Sequence, residues 1–261
     1  LNLDDIIMNI VSNSLDIERK AVVQALLEYR GKQKVGGSFT GDADADGFLR
    51  QNPLAFLMAA SIDRGARAES VWKIPFTLNC RLGHLDPNIL SQYTIDQMEA
   101  ILRSLAKKPR YPRQAAQTIV HLSKLVADEF DGNAANIWLG RSPLEVTQTL
   151  DRIWGIGPGI AHMTVRILKD EFGYNPPSES WRKVDVKPDV QVRRVFYRSG
   201  IAQDKNESTA VHAARQLHPD FPGLLDWPAW EIGRTWCRES NPNCNECPLR
   251  GACIKRETSS T

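Results

Sequence analysis

The chain has 261 residues, 42% of them hydrophobic and 25% charged, a balance that fits an ordinary globular protein built as one large domain or two small ones with shared walls. Its longest apolar runs, such as residues 54–60, are too short for a transmembrane helix. Two acids stand near the N-terminus where a secretory leader needs basic residues, so a cytoplasmic location is expected, nucleoid-associated in a prokaryote. A net charge of +2 does not mark a nucleic-acid binder, and any basic surface has to come from local clusters at 64–67, 106–114 and 192–198.

In chain order, residues 14–31 carry apolar side chains at helical spacing and end on Gly31. Residues 32–47 are polar and glycine-rich and read as a linker. The acids from Asp42 to Asp46 resemble a calcium loop but lack its acidic twelfth ligand, a position held by Pro53. A helix is expected from about Pro53, with Leu54, Leu57 and Met58 on one face. Thr94 to Gln97 form a capping-box pattern ahead of Met98, Ile101, Leu102 and Leu105. Ala115, Ile119, Leu122 and Val126 mark the next helix, and Ser142 to Glu145 give a second capping box with Pro143 at the first helical position. Val146, Leu150 and Ile153, then Ile160, Met163, Thr164, Ile167 and Leu168, describe two helices joined by Gly155-Ile156-Gly157-Pro158-Gly159, with Gly173 closing the second. Further helices are predicted over 190–199, 207–217 and 227–237. With no alternating strand pattern, no internal repeat and no low-complexity tract, the expected class is all-α.

Cys237, Cys244, Cys247 and Cys253 fall within 17 residues, while Cys80 lies far away. An uneven count with one tight cluster argues against a secreted disulfide framework and for a metal site in a reducing compartment. Four thiolates on one loop suit zinc or an iron–sulfur cluster. Two separated knuckles are the commoner zinc pattern, and a single continuous loop suits a cubane. The glycine-rich turn at 155–159 lets backbone approach a ligand closely, and amides aimed outward at a helix start make a nest for an anion such as a phosphate. A bland helix–helix turn is the alternative for this stretch taken alone.

The spacing C-x6-C-x2-C-x5-C, with the glycine turn about 80 residues upstream, resembles endonuclease III and its relatives, the helix-hairpin-helix DNA glycosylases. The resemblance covers about residues 50–256. It implies an endonuclease III-like two-domain helical fold. Residues 1–47 would pack with the cluster domain, 48–182 would form a helical barrel with the hairpin at about 144–172, and 183–261 would carry the catalytic aspartate helix and a structural 4Fe-4S cluster on the four cysteines. Basic side chains of the cluster loop, here Arg250, Lys255 and Arg256, would meet DNA phosphates. In the family hairpin, Leu-Pro-Gly-Val/Ile-Gly-x-Lys-x-Ala, Gly155, Ile156, Gly157 and Ala161 fall on matching positions. Trp154 replaces the proline, and Gly159 stands where bifunctional members carry the lysine that forms a Schiff base with the sugar.

Family members also place an essential aspartate shortly after the hairpin, and Asp189 fits that register, with Gln191 in place of the usual histidine. On local pattern alone Asp189 reads as an N-cap, and the catalytic role is what the resemblance implies. Asp185 is the rival, disfavoured because Pro188 falls where its helix should run. The segment 174–188 looks like a loop insertion of roughly a dozen residues that shapes the base pocket. Ser61, Asp63 and Arg64 lie where the family fills the gap left by a flipped base, and Tyr111 lies in its minor-groove wedge loop, placed to stack on a base. His121 and His162 read as ordinary helix residues.

The expected function is a monofunctional DNA glycosylase acting as a monomer on duplex DNA with a damaged or modified base. Asp189 would stabilise the sugar cation and activate water. Two alternatives stay open: a bifunctional enzyme using Lys183 or Lys187, and a catalytically silent DNA-binding protein. Only eight residues follow Cys253, so the extra C-terminal domain of the adenine-excising branch is not expected, nor is adenine opposite oxidised guanine as the substrate.

Overall fold

The structure, a computed structural model, describes residues 3–33 and 37–254, with side chains from residue 15 onward. Every regular element among the described residues is a helix, and none is long and apolar enough to cross a membrane. The chain divides into two compact units, residues 1–34 with 181–261, and residues 35–180.

The chain opens with α1 (Leu3–Lys32), which starts well before the predicted residue 14. The second unit then runs through α2 (Ala43–Gln51), α3 (Pro53–Ser61), α4 (Ala68–Trp72), α5 (Ile74–Leu82), α6 (Pro87–Leu90), α7 (Ile95–Ser104), α8 (Pro112–Glu129), α9 (Pro143–Asp151) and α10 (Pro158–Glu171). Its centre is α3. Residues 54–61 are all buried, so this helix is apolar around its whole circumference rather than on the one face the sequence suggested. Helices α2, α5, α8 and α10 surround it. Phe56 anchors the core, its ring centroid 4.4 Å from that of Phe172 and 6.0 Å from that of Trp72. Burying such a side chain is worth about 1.5–3 kcal/mol.

The stretch 32–47 differs from expectation. Instead of a linker packed with the cluster domain, its described part from residue 37 belongs to the second unit, and α2 begins inside it. The acids are the reason. Asp42 caps α2, accepting from the amides of Asp44 and Ala45 at 3.1 Å each, and pairs with Lys73. Asp46 is buried and gathers the Ser38 hydroxyl at 2.5 Å, the Thr40 hydroxyl at 2.7 Å and the amides of Phe39 and Thr40. These carboxylates are satisfied by protein donors as caps and loop staples.

In the other unit, α1 packs with α12 (Glu207–Leu217) and α13 (Asp226–Thr235), and both of these pack with α11 (Val190–Ser199). Their shared core holds Val22 and Leu26, Val192, Val195 and Phe196, Ala210 and Ala214, and Ala229 and Ile232. The far half of the expected insertion is anchored here rather than looped out. Trp181 packs on Phe221 at 4.8 Å, Val184 and Val186 are buried, and the Gly223 amide donates to the Val184 carbonyl at 2.7 Å.

Candidate functional site

The predicted sites fall in both units. In residues 35–180, α9 starts on the predicted capping box: the Ser142 amide donates to Glu145 Oε2 at 2.7 Å, and the Glu145 amide returns to the Ser142 hydroxyl at 3.4 Å. Val146, Leu150 and Ile153 are buried, as are Ala161, Met163, Thr164, Ile167 and Leu168 on α10, so the two helices of the hairpin close on each other as the spacing implied.

Between them Gly155 adopts φ +85°, a left-handed conformation that favours glycine. Ile156 is buried and its amide donates to Ile153 O at 3.0 Å. Gly157 is the N-cap of α10 and provides no side-chain oxygen, and Pro158 occupies the first helical position without an N–H. The early amides of a helix have no intrahelical acceptor. Those of Gly159 and Ile160 therefore face a cap that leaves room for an external anion, at the positive end of a 14-residue helix. Gly157 is exposed, and a Cβ there would meet nothing within 4 Å.

Arg64, another predicted residue, lies against this turn beside Gly155. Arg64 is half-buried and turned inward: its Nη2 donates to Ser61 O at 3.0 Å and to Thr118 Oγ1 at 3.1 Å. Burial pulls its guanidinium below the ordinary arginine range, with Asp63 opposing. Ser61 is buried, its hydroxyl bonded back to Leu57 O at 2.5 Å, which removes it from the candidates for a gap-filling side chain. Tyr111, 43% exposed, lies with its ring against Gly65, itself at φ +73°, and Arg110 donates to Gly65 O at 3.2 Å while lying over the Tyr111 ring. The loops at 61–67 and 110–111 thus meet. Thr118, which the sequence reading passed over, joins Arg64 to the hairpin through the Trp154 carbonyl at 3.0 Å. Its signal was weak: a hydroxyl three residues after Ala115 on the apolar stripe of α8, which also carries the buried Ser123. His121 is an exposed residue of α8 and His162 a half-buried residue of α10.

In the other unit, Asp189 is the N-cap of α11, with its Oδ1 accepting from the amides of Gln191 at 2.8 Å and Val192 at 3.0 Å. Asp185 is buried and committed elsewhere, in a two-pronged ion pair with Arg215 Nε at 2.7 Å and Nη2 at 2.6 Å. Lys183 is exposed on a 3-10 turn at Ser178–Lys183.

Cys237, Cys244, Cys247 and Cys253 all line one cavity, closed on its other sides by Val195, Ile232, Leu249 and Arg198. Among the described residues no three His, Cys, Asp or Glu side chains are gathered as ligands of a single ion. Burial pushes the Cys247 thiol up to about 11, opposed by the Leu249 amide and reinforced by the other three sulfurs. Arg198 Nη1 lies 3.8 Å from Cys237 Sγ and also donates to Arg238 O at 2.7 Å. Arg194 holds Cys237 O at 2.6 Å and Gly233 O at 2.8 Å. Four soft donors around an apolar hollow, with guanidinium N–H groups at its rim, fit an iron–sulfur cluster and its negative charge. Arg250 is exposed beside the cavity with Nη1 3.3 Å from Asn245 O. Lys255 and Arg256 lie outside the described residues. Cys80 is an exposed cysteine of the second unit.

No family model matches the chain. It is similar to endonuclease III of Thermotoga maritima, 26% identical over 153 residues, which span 58% of this chain and 62% of that protein's length. Its fold matches a trapped endonuclease III–DNA covalent intermediate with TM-score 0.63 and 19% identity, over 90% of this chain and 95% of that one. It matches a thermostable thymine-DNA glycosylase with TM-score 0.60 and 15% identity, over the same shares. The endonuclease III-like helical fold implied by the cysteine and glycine motifs is therefore the fold of this chain, and the resemblance to the helix-hairpin-helix DNA glycosylases holds in sequence as well.

Proposed function

We propose that this chain is a base-excision DNA glycosylase that hydrolyses the N-glycosidic bond of a damaged or modified base in duplex DNA and does not cleave the strand. The observation that carries the reading is the bare start of α10. In a fold shared with DNA glycosylases, Gly157 caps a helix without a side chain and leaves its amides to an anion, and a DNA phosphate is the anion this chemistry fits.

Asp189 is the catalytic carboxylate in this reading. A glycosidic bond breaks through a cation-like sugar, which an aspartate stabilises by charge while it orients or deprotonates the attacking water. Support comes from its place at the start of α11 and from the removal of its rival, since Asp185 is neutralised by Arg215. A carboxylate fixed by two amides through one oxygen has its orientation set before substrate arrives. Gly159 is the second residue of α10, in the position of the family's lyase lysine; glycine offers no amine, so no Schiff base forms there. The four cysteines would hold a 4Fe-4S cluster, which supplies a structural cross-link for the loop 237–253. Arg250 and Tyr111 are further proposed DNA contacts.

Single-turnover base release over a panel of modified duplexes tests the activity. The expected product is an abasic strand that stays intact until heated in alkali and gives no borohydride-trapped adduct. Release from no duplex in the panel, with binding retained, would leave a DNA-binding protein without the enzyme. Efficient trapping by the wild-type protein would place an amine such as Lys183 or Lys187 in the chemistry.

A further inference from the structure

The hairpin turn has a support that none of the motifs contains. Thr118, fully buried in α8, sets its Oγ1 3.0 Å from the carbonyl oxygens of both Gln114 and Trp154 and accepts from Arg64 Nη2 at 3.1 Å. Arg64 ties the same point to the end of α3 through Ser61 O. Gly155 lies directly on this pair. A Cβ built there would stand 2.8 Å from Arg64 Nη2, 2.8 Å from Thr118 Oγ1 and 3.0 Å from Arg64 Nη1. The turn is thus seated on a guanidinium and a hydroxyl with no room for a methyl group between.

We infer that Arg64 and Thr118 are positioning residues that preset the anion site of the hairpin. They hold the Trp154 carbonyl and the left-handed Gly155 so that the first amides of α10 are aimed before DNA binds. The inference rests on the proposed role of the hairpin and assigns Arg64 inward, as a brace, rather than to the gap of a flipped base. Preorganisation is where such a pair acts. A nest of neutral amides gains little from each hydrogen bond and loses affinity when the turn has to be ordered during binding. The guanidinium adds a positive charge behind the nest without touching the phosphate. Its partial burial is tolerated because two acceptors take its N–H groups.

The full-length protein with Thr118→Val tests this, since valine fills the same space without the hydroxyl, and Thr118→Ser keeps the hydroxyl. Two amides report the turn without any DNA: Ile156, bonded to Ile153 O at 3.0 Å, and Ala161, bonded to Gly157 O at 3.1 Å. In free Thr118→Val their hydrogen exchange should quicken roughly 10-fold, the weight of one ordinary hydrogen bond. The dissociation constant for a duplex with an abasic-site analogue should rise by a similar factor. Its salt dependence should stay at the wild-type slope, because no charge is lost. Thr118→Ser should stay near wild type, and Arg64→Lys, which keeps the charge but not the planar fork, should behave like valine. Unchanged exchange in Thr118→Val overturns the brace. Quickened exchange with unchanged affinity upholds the brace and instead removes the hairpin from the DNA-binding surface.

Discussion

Asp185 and Asp189 are four residues apart and carry different loads. Asp185 is buried under a guanidinium from α12, 30 residues further along the chain, and that charge pair keeps residues 184–186 in the core beside Gly223. Asp189 caps α11, one carboxylate oxygen taking the amides of Gln191 and Val192. Asp189→Asn should therefore leave thermal stability nearly unchanged, because asparagine caps as well as aspartate. It should also keep DNA binding and slow single-turnover base release by roughly 10²-fold or more. Asp185→Asn should do the reverse, costing about 2 kcal/mol in denaturant unfolding by weakening hydrogen bonds to a charged partner, with a release rate per folded molecule close to wild type. A normal rate in Asp189→Asn would reduce that residue to a cap. The sequence separates the two only through Pro188, which forbids a helix right after Asp185. It does not show Arg215 as the partner, because nothing local links residues so far apart.

At the scale of the element, the hairpin holds two glycines of opposite character, and both can be tested with one methyl group. At Gly157 the backbone is extended (φ −100°) and the space beside it is open. Gly157→Ala should fold with wild-type stability and weaken duplex binding, since the methyl group meets only the incoming backbone. At Gly155 the conformation is left-handed and the methyl group meets Arg64 and Thr118. Gly155→Ala should lose roughly 1–3 kcal/mol of stability by thermal or urea unfolding. Equal stability loss in both would show that the turn is merely a tight connection. The alternating glycines, the two capping boxes and the helix over 190–199 are legible because each signal lies within a few residues and has a local cause. Helix α2 was not, because Asp42, Asp44 and Asp46 make the start of a helix look like a loop until their donors, Lys73 and residues 38–40, are brought near. Helix α5 has too short an apolar pattern to stand out from its neighbours.

At the scale of the whole molecule, the division into two units is a statement about which helix finds which core, and local periodicity does not carry it. The boundary expected near 47 falls at 34/35 because Phe39 stacks on Trp72 at 4.8 Å and Asp46 staples residues 38–40 to α2. Each unit has an apolar core of its own, around Phe56 in one and Phe196 in the other, and the cysteine cavity belongs entirely to the latter. The two should answer differently to loss of the proposed cluster. The purified protein should be brown, absorb broadly near ~400 nm and contain about four irons. Cys244→Ser should lose that colour. Residues 237–253 have few apolar side chains beyond Leu249 to hold them once the sulfurs are released, so fast hydrogen exchange should spread from there into α11 and α13. The amides of α3 and α8 should remain protected, since Phe56, Leu122 and Val126 are packed by side chains of residues 35–180. Stoichiometric zinc without iron in anaerobically prepared protein would overturn the cluster. Loss of protection throughout α3 and α8 in the colourless variant would show that the core around Phe56 does not stand without the loop.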